Sequence, residues 1–335
     1  MRHYPSMVRL FALGIALWSW QAAAAELREI NVTMPTFSAD FAPYLIPIEK
    51  GYYAEDGIAI KITKAGGGVA TPALLSGTVD LSTSAASALS AILRGAPLKI
   101  VYTMAHRPTY QLWSTKPELK TLADLKGQPV GIISRGDTFE IAMRLTFLQA
   151  GLPLDWVGYT ALGNAAAVQA AMQSGALPAA ILASGDIDAI ASTPVVQRGH
   201  MIVDMAKTVR MPYSGVAVTE RMLSSDPDLV TNFLRGAMKG VRYMRAFPKE
   251  TMAIVKKYDP ILTDHALEVD YRDVVESLTD AGEASDEELR NDIAVRMDIL
   301  NLPKEQAPPP ERMYDYRLLR AVNAALDAAH WTPQR

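Results

Sequence analysis

The chain has 335 residues, 49% of them apolar and 21% charged, with 33 lysines and arginines against 36 acids and a formal charge of −3. These proportions exclude a disordered or low-complexity chain, and the near balance of charge offers no clustered basic face for a nucleic-acid backbone. Cysteine is absent, which removes disulfides, thiolate metal sites, iron–sulfur clusters, cysteine nucleophiles and a lipidated cysteine anchor.

Arg2 and Arg9 precede an uncharged apolar stretch at 10–20, followed by Gln21 and alanines 22–25 before the first acid, Glu26. That order of a basic start, a short apolar run and a small-residue exit predicts a secretory signal peptide over 1–25, cut near Ala24 or Ala25. A membrane anchor fits less well: a spanning helix needs about 20 apolar residues, and Ser19 and Gln21 interrupt this stretch. The expected product is exported, soluble and periplasmic.

Beyond the signal, short β-rich runs alternate with helical periods. Strands are expected at 29–34, 58–64, 79–82 and 98–103, with helices at 42–50, 69–75 and 85–93 between them. A second unit places strands at 110–115, 130–133, 179–182, 201–203 and 215–218, and helices at 137–150, 165–173 and 187–196. Such βα alternation predicts largely parallel sheets with helices on their faces. Thr121 with Asp124 reads as a capping box. After residue 220 the chain turns helical, with a long helix opened at 225 whose apolar period runs through Val230, Leu234, Ala237, Val241 and Met244, and helices at 249–257, 264–279, 287–300 and 313–329. Ser225 with Asp228, and Ser285 with Glu288, are read as the caps that open two of them. The 74–80 segment, L-L-S-G-T-V-D, and the 171–177 segment, A-M-Q-S-G-A-L, both close a helix and open a strand, a weak sign that the lobes share one plan.

Catalytic patterns are missing. The histidines at 3, 106, 200, 265 and 330 show no metal-ligand spacing, and there is no nucleophile elbow, phosphate loop or dinucleotide fingerprint. The expectation is therefore a protein without catalytic residues, metal or cofactor. Gly66-Gly67-Gly68, between a strand and a helix, is either an anion cradle or a tight turn. Ser134-Arg135-Gly136-Asp137-Thr138 joins a strand to a helix start, where amides, a hydroxyl and a guanidinium suit a carboxylate or sulfonate; Asp137 opposes that, and a plain N-cap is the other reading. Ser84-Ala85 sits at a similar junction, and in open α/β sheets ligands lie at the carboxyl ends of strands. Among the aromatics, Phe37 and Tyr213 fall at strand ends and are the better candidates for a cleft wall.

Four segments carry a family likeness: 47–57 (P-I-E-K-G-Y-Y-A-E-D-G), 74–81 (L-L-S-G-T-V-D-L), 119–131 (L-K-T-L-A-D-L-K-G-Q-P-V-G) and 144–151 (R-L-T-F-L-Q-A-G). In that order the chain resembles the nitrate/sulfonate/taurine type of periplasmic solute-binding protein, the NMT1-like group. The resemblance implies a two-lobed α/β periplasmic-binding-protein fold of type II kind, with two crossovers and a helical C-terminal tail. Lobe one would comprise 26–105 and 214–335, and lobe two 106–213. It further implies a monomer that binds a small organic, anionic solute between the lobes and delivers it to an ABC permease. By position, the ligand contacts would be Thr36, Phe37, Ser38, Ser84, Ala85, Arg135, Gly136, Asp137 and Thr138, with Asn164 and Ser184 from the second lobe and Tyr213 at the return. Ala176-Leu177-Pro178 and Ala183-Ser184-Gly185-Asp186 depart from the family's pattern, so the solute itself is left open. An enzyme on the same fold, and an exported sensor that docks on a membrane partner, are the alternatives.

Overall fold

The computed structural model describes residues 26–184, 187 and 199–335; the expected signal peptide and nearly all of the helix expected at 187–196 lie outside them. Lobe one opens with β1 (Arg28–Met34), α1 (Ala42–Glu49), α2 (Tyr52–Glu55), β2 (Ile58–Lys64), α3 (Gly67–Ser76), β3 (Leu81–Ser82), α4 (Ala85–Ile92) and β4 (Leu98–Ala105). In β1 the alternate residues Ile30, Val32 and Met34 are buried, the two-residue period expected of a strand packed against a core. The start of α3 falls two residues before the apolar period begins, because glycine is what fits there. A Cβ at Gly67 would lie 1.7 Å from Ser87 Oγ, so only a bare backbone lets α3 approach α4.

Lobe two holds β5 (Tyr110–Ser114), β6 (Pro129–Ile132), α5 (Thr138–Gln149), β7 (Gly158–Ala161), α6 (Ala165–Gln173), β8 (Ala179–Ala183), β9 (His200–Asp204) and α7 (Met205–Thr208). The chain returns through β10 (Tyr213–Thr219) and ends in α8 (Glu220–Ser225), α9 (Pro227–Ala246), α10 (Pro248–Tyr258), α11 (Asp264–Ser277), α12 (Asp286–Ile299) and α13 (Arg317–Ala328).

Both sheets have five strands and one topology, β2-β1-β3-β10-β4 in lobe one and β7-β6-β8-β5-β9 in lobe two. Four strands of each run in one direction, while β10 and β5 run antiparallel to both of their neighbours. The reversed strand is in each case the one that arrives by crossover from the other lobe. The likeness between the 74–80 and 171–177 segments is thus part of a whole-lobe correspondence.

Several local expectations are corrected. Asp124 accepts hydrogen bonds from the Thr121 amide and hydroxyl and from the Lys120 amide, making a turn with a short 3-10 segment at Ala123–Leu125 where a helix cap was expected. The long α9 is capped by Asp226, whose carboxylate accepts from the Leu229 amide, and not by Ser225, which ends α8. The last helix starts at Arg317 because residues 313–315 pair instead with the β4 edge, Ile100 exchanging backbone bonds with Met313 and Asp315. That contact also covers an otherwise open sheet edge. Strand β7 was not expected, because its Gly-Tyr-Thr-Ala sequence has no apolar alternation and only its two middle residues are half-buried. The Ser285–Glu288 capping box is present with both reciprocal bonds.

The tail packs mainly on lobe one. Val230, Phe233, Leu234, Ala237, Val241 and Met244 of α9 form a buried stripe at helical spacing. Helix α12 is the exception, because Val295 joins the core of lobe two while Leu289, Ile293 and Met297 join that of lobe one. No described helix is long and apolar enough to cross a membrane.

Candidate functional site

The crossovers at 106–109 and 209–212 lie side by side. The Met211 amide donates to the His106 carbonyl at 3.0 Å, and the Arg210 guanidinium lies within 2.9 Å of the His106 ring. The ends of the strands in both sheets face a cleft of about 680 Å³. Lobe one contributes the loop after β1 (Pro35, Thr36, Ser38, Asp40, Phe41), Gly67, and the junction of β3 with α4 (83–87). Lobe two contributes Thr109, Tyr110, Ile133, Thr138, Phe139, Ala165 and Ala183, and the return adds Tyr213 and Ser214. A further wall comes from the α10–α11 turn and α11, including Asp259, Ile261, Thr263 and Asp270.

A chain of polar contacts crosses this cleft. Tyr213 Oη donates to Asp40 Oδ2 at 3.3 Å and lies 3.4 Å from Tyr110 Oη, which is 2.6 Å from Thr138 Oγ1. The Tyr110 ring stacks on Phe139, with centroids 4.2 Å apart, and meets Tyr213 edge-on at 5.5 Å. Asp40 is 8% exposed, and its Oδ1 accepts no hydrogen bond from any described residue. Burial, and then the negative charge of Asp270, push its carboxyl up to about 8, against which the Tyr213 hydrogen bond acts only partly. Asp270 Oδ2 accepts from the Ala39 amide at 2.8 Å. Burial also raises the Tyr110 and Tyr213 hydroxyls, so both phenols stay protonated donors.

Of the residues singled out in the sequence, Thr36, Ser38, Ser84, Ala85, Thr138 and Tyr213 line the cleft. Phe37 does not; its ring packs on Tyr258 and under Lys64. Arg135, Gly136 and Asp137 line a separate, more open cavity beside Arg94. Arg135 is ion-paired to Glu140 at 3.1 Å and stacked over Tyr159. Asp137 caps α5, accepting from the Glu140 and Ser134 amides. Asn164 likewise caps α6 through the Ala167 amide, leaving its neighbour Ala165 to line the cleft. Ser184 is buried, its hydroxyl and amide both donating to the Thr109 carbonyl. Gly67 begins α3 and borders both cavities. Among the described residues the cleft lining holds three aspartates and no lysine, arginine or histidine.

Sequence reasoning passed over Asp40, Asp270 and Phe139. Asp40 carried a signal, a lone acid within the otherwise uncharged 35–48 stretch. Thr263, Ala266 and Asp270 share one helical face, but nothing local shows that this face meets residue 40.

Two like α/β lobes, joined by paired crossovers and enclosing a cleft at their strand ends, define the periplasmic-binding-protein fold. The sequence profile described as "NMT1/THI5 like" matches residues 38–251, and the chain belongs to that family. It is 26% identical over 253 residues to the riboflavin-binding protein RibY of Chloroflexus aurantiacus, covering 71% of this chain and 68% of that one. Its fold is similar to that of the periplasmic nitrate-binding protein NrtA of Synechocystis PCC 6803, at TM-score 0.66 and 14% identity over 92% of each chain. It is also similar to the aliphatic sulphonate-binding protein SsuA of Escherichia coli, at TM-score 0.65 and 18% identity, covering 86% of this chain and 91% of that one.

Proposed function

We infer that the protein is the exported solute-binding component of an ABC importer, which holds a small organic solute between its lobes and hands it to a membrane permease. The observation that carries this reading is the cleft itself, whose two walls belong to different lobes and meet through the Asp40–Tyr213–Tyr110–Thr138 contacts. A ligand that bridges such walls favours the closed form, and closure is the signal a permease can read. Family membership and the solute-binding names of the relatives support the reading. Among the described residues the cleft lining offers no histidine and no paired nucleophile and base, which supports binding without turnover. Residues 1–25 serve as the export signal.

Thr36, Ser38, Ser84, Ala85, Thr138 and Tyr213 touch the solute, together with Asp40, Tyr110 and Phe139. Arg135, Gly136, Asp137, Asn164, Ser184 and Phe37 hold the walls in place behind them. The solute is flat and at least partly aromatic, to match the Tyr110–Phe139 stack. Small-angle scattering and mass spectrometry on protein purified from its native compartment test this. A released, chemically unaltered solute that compacts the protein on re-addition is the expected result. A solute converted into a second compound, or a scattering profile that no released compound changes, would sink the reading.

A further inference from the structure

The polar contacts across the cleft run in one sense. Tyr110 and Tyr213 hold the same place in their lobes, each the first residue of the reversed strand that a crossover delivers, β5 and β10. The Tyr110 hydroxyl donates to Tyr213 Oη at 3.4 Å, and the Tyr213 hydroxyl donates to Asp40 Oδ2 at 3.3 Å. A phenol has one proton to give, so both are spent on the next oxygen towards Asp40. The 2.6 Å contact between Tyr110 Oη and Thr138 Oγ1 is then donated by Thr138, the first residue of α5. Any proton that Asp40 itself carries sits on Oδ1, because Oδ2 already receives the Tyr213 hydroxyl. Burial keeps both phenols protonated, which preserves the sense of the row. The oxygens of Thr138, Tyr110 and Tyr213 are left with lone pairs alone, in a cleft where an unpaired polar atom is costly.

We propose that the solute meets this row as a hydrogen-bond donor, with N–H or O–H groups on one edge of a flat ring system that the Thr138, Tyr110 and Tyr213 oxygens accept. This rests on the receptor reading and narrows its substrate class. The row selects by mismatch more than by attraction. A solute that offers only a carbonyl or ether oxygen there sets lone pairs against lone pairs and leaves the acceptors unpaired, whereas N–H groups complete them. Specificity of this kind comes from the order of the protons and needs no charge on the solute. Asp40 is a positioning residue, acting on the solute through Tyr213 as the acceptor that draws the protons one way.

Benzamide and acetophenone share a ring, a carbonyl and nearly one shape, and differ in the amino or methyl group beside that carbonyl. Calorimetry is expected to show benzamide binding at least about tenfold more tightly. Thr138→Val keeps the shape and removes an acceptor, while Tyr213→Phe takes the middle oxygen from the row and frees the Tyr110 proton. Each should weaken benzamide by about threefold or more and leave acetophenone unchanged or tighter. The ratio of the two affinities within one variant reports the row even where stability falls. Acetophenone binding as tightly as benzamide, or a ratio that survives both substitutions, would overturn the proposal. Should neither probe bind, the solute released from the native protein decides, compared with an analogue in which C–H or a methyl group stands for each N–H or O–H on the ring edge. A loss of about tenfold that Thr138→Val erodes supports the proposal. A smaller loss, a loss that the variant leaves intact, or a solute without such donors overturns it and leaves the receptor reading standing; no released compound at all removes both.

Discussion

In lobe one the five strands are wrapped by helices from the far end of the chain, with Phe233 and Val241 of α9 and Leu319 and Val322 of α13 packed into the core. In lobe two the cover is local apart from Val295 of α12: Ile141, Leu145 and Phe147 of α5 follow directly from the strand they pack on. The sheets obey one plan, so their loops arrive at corresponding places; the covers do not, so the walls of the cleft differ in chemistry. Lobe one with its tail supplies the carboxyl groups, and lobe two supplies the stacked rings and the Thr138 hydroxyl. A shared framework thus fixes where a ligand sits, while an unshared cover decides what that ligand is.

The largest effect separating the walls is one of pH. Asp40 has a folded-state carboxyl raised to about 8, against an unfolded value near 4. A raised acid favours the fold while protonated, so its contribution is complete below about pH 4 and is lost as pH rises towards 8. The slope approaches about 1.4 kcal/mol per pH unit. Denaturant titrations should therefore show Asp40→Asn more stable than the parent at pH 8, with the advantage shrinking in acid; parallel profiles for the two would break the comparison.

Next comes the helix that joins both lobes. Arg296, 2% exposed, pairs with Asp292 at 2.6 Å and donates to the Ala86 carbonyl and Ser90 hydroxyl of α4. Burial raises the Asp292 carboxyl even beside this partner. Arg296→Ala should cost about 3–5 kcal/mol, because it strands a buried acid, whereas Arg296→Met with Asp292→Leu should recover most of the loss. A single variant as stable as the parent would mean that α12 is not anchored through this pair.

A smaller loss is expected where the tail meets lobe one most closely. A Cβ at Gly240 would lie 2.2 Å from the Pro43 carbonyl oxygen of α1, so Gly240→Ala should cost about 1–3 kcal/mol through overpacking. An unchanged denaturation midpoint would show that α9 shifts freely on α1. The smallest effect belongs to lobe two, where Asp137→Ala removes the cap of α5 and should cost about 1 kcal/mol. Amide exchange in the first turn of α5 would report it, and unaltered protection there would contradict the cap.

The sequence was informative wherever structure follows from neighbours in the chain. The period of Ile30, Val32 and Met34 marks β1, Ser285 with Glu288 marks the start of α12, and hydroxyl residues at strand-to-helix junctions mark Ser84 and Thr138 in the cleft wall. Arg135 shows the limit of that reasoning. Its place in the loop was legible, but Glu140 shares its carboxylate between Arg135 and Arg144 and turns the guanidinium away from the cleft. The bond from the Ala39 amide to Asp270, which brings that acid beside Asp40, was not legible at all, since its partners are 231 residues apart and meet only when the tail folds back. Edge strand β7 was missed for the opposite reason, because four residues with one large side chain leave no apolar period to read.

The paired crossovers have one more consequence. The two linkers are bonded to each other through Met211 and His106, and the His106 amide is tied in turn to the Ser277 carbonyl at the end of α11. Two chains stitched together in this way behave as a flat strap, which flexes across its face far more readily than it shears or twists. Such a strap favours bending of the lobes about one axis, and one pair of labels, one on each side of the cleft, is expected to follow that motion.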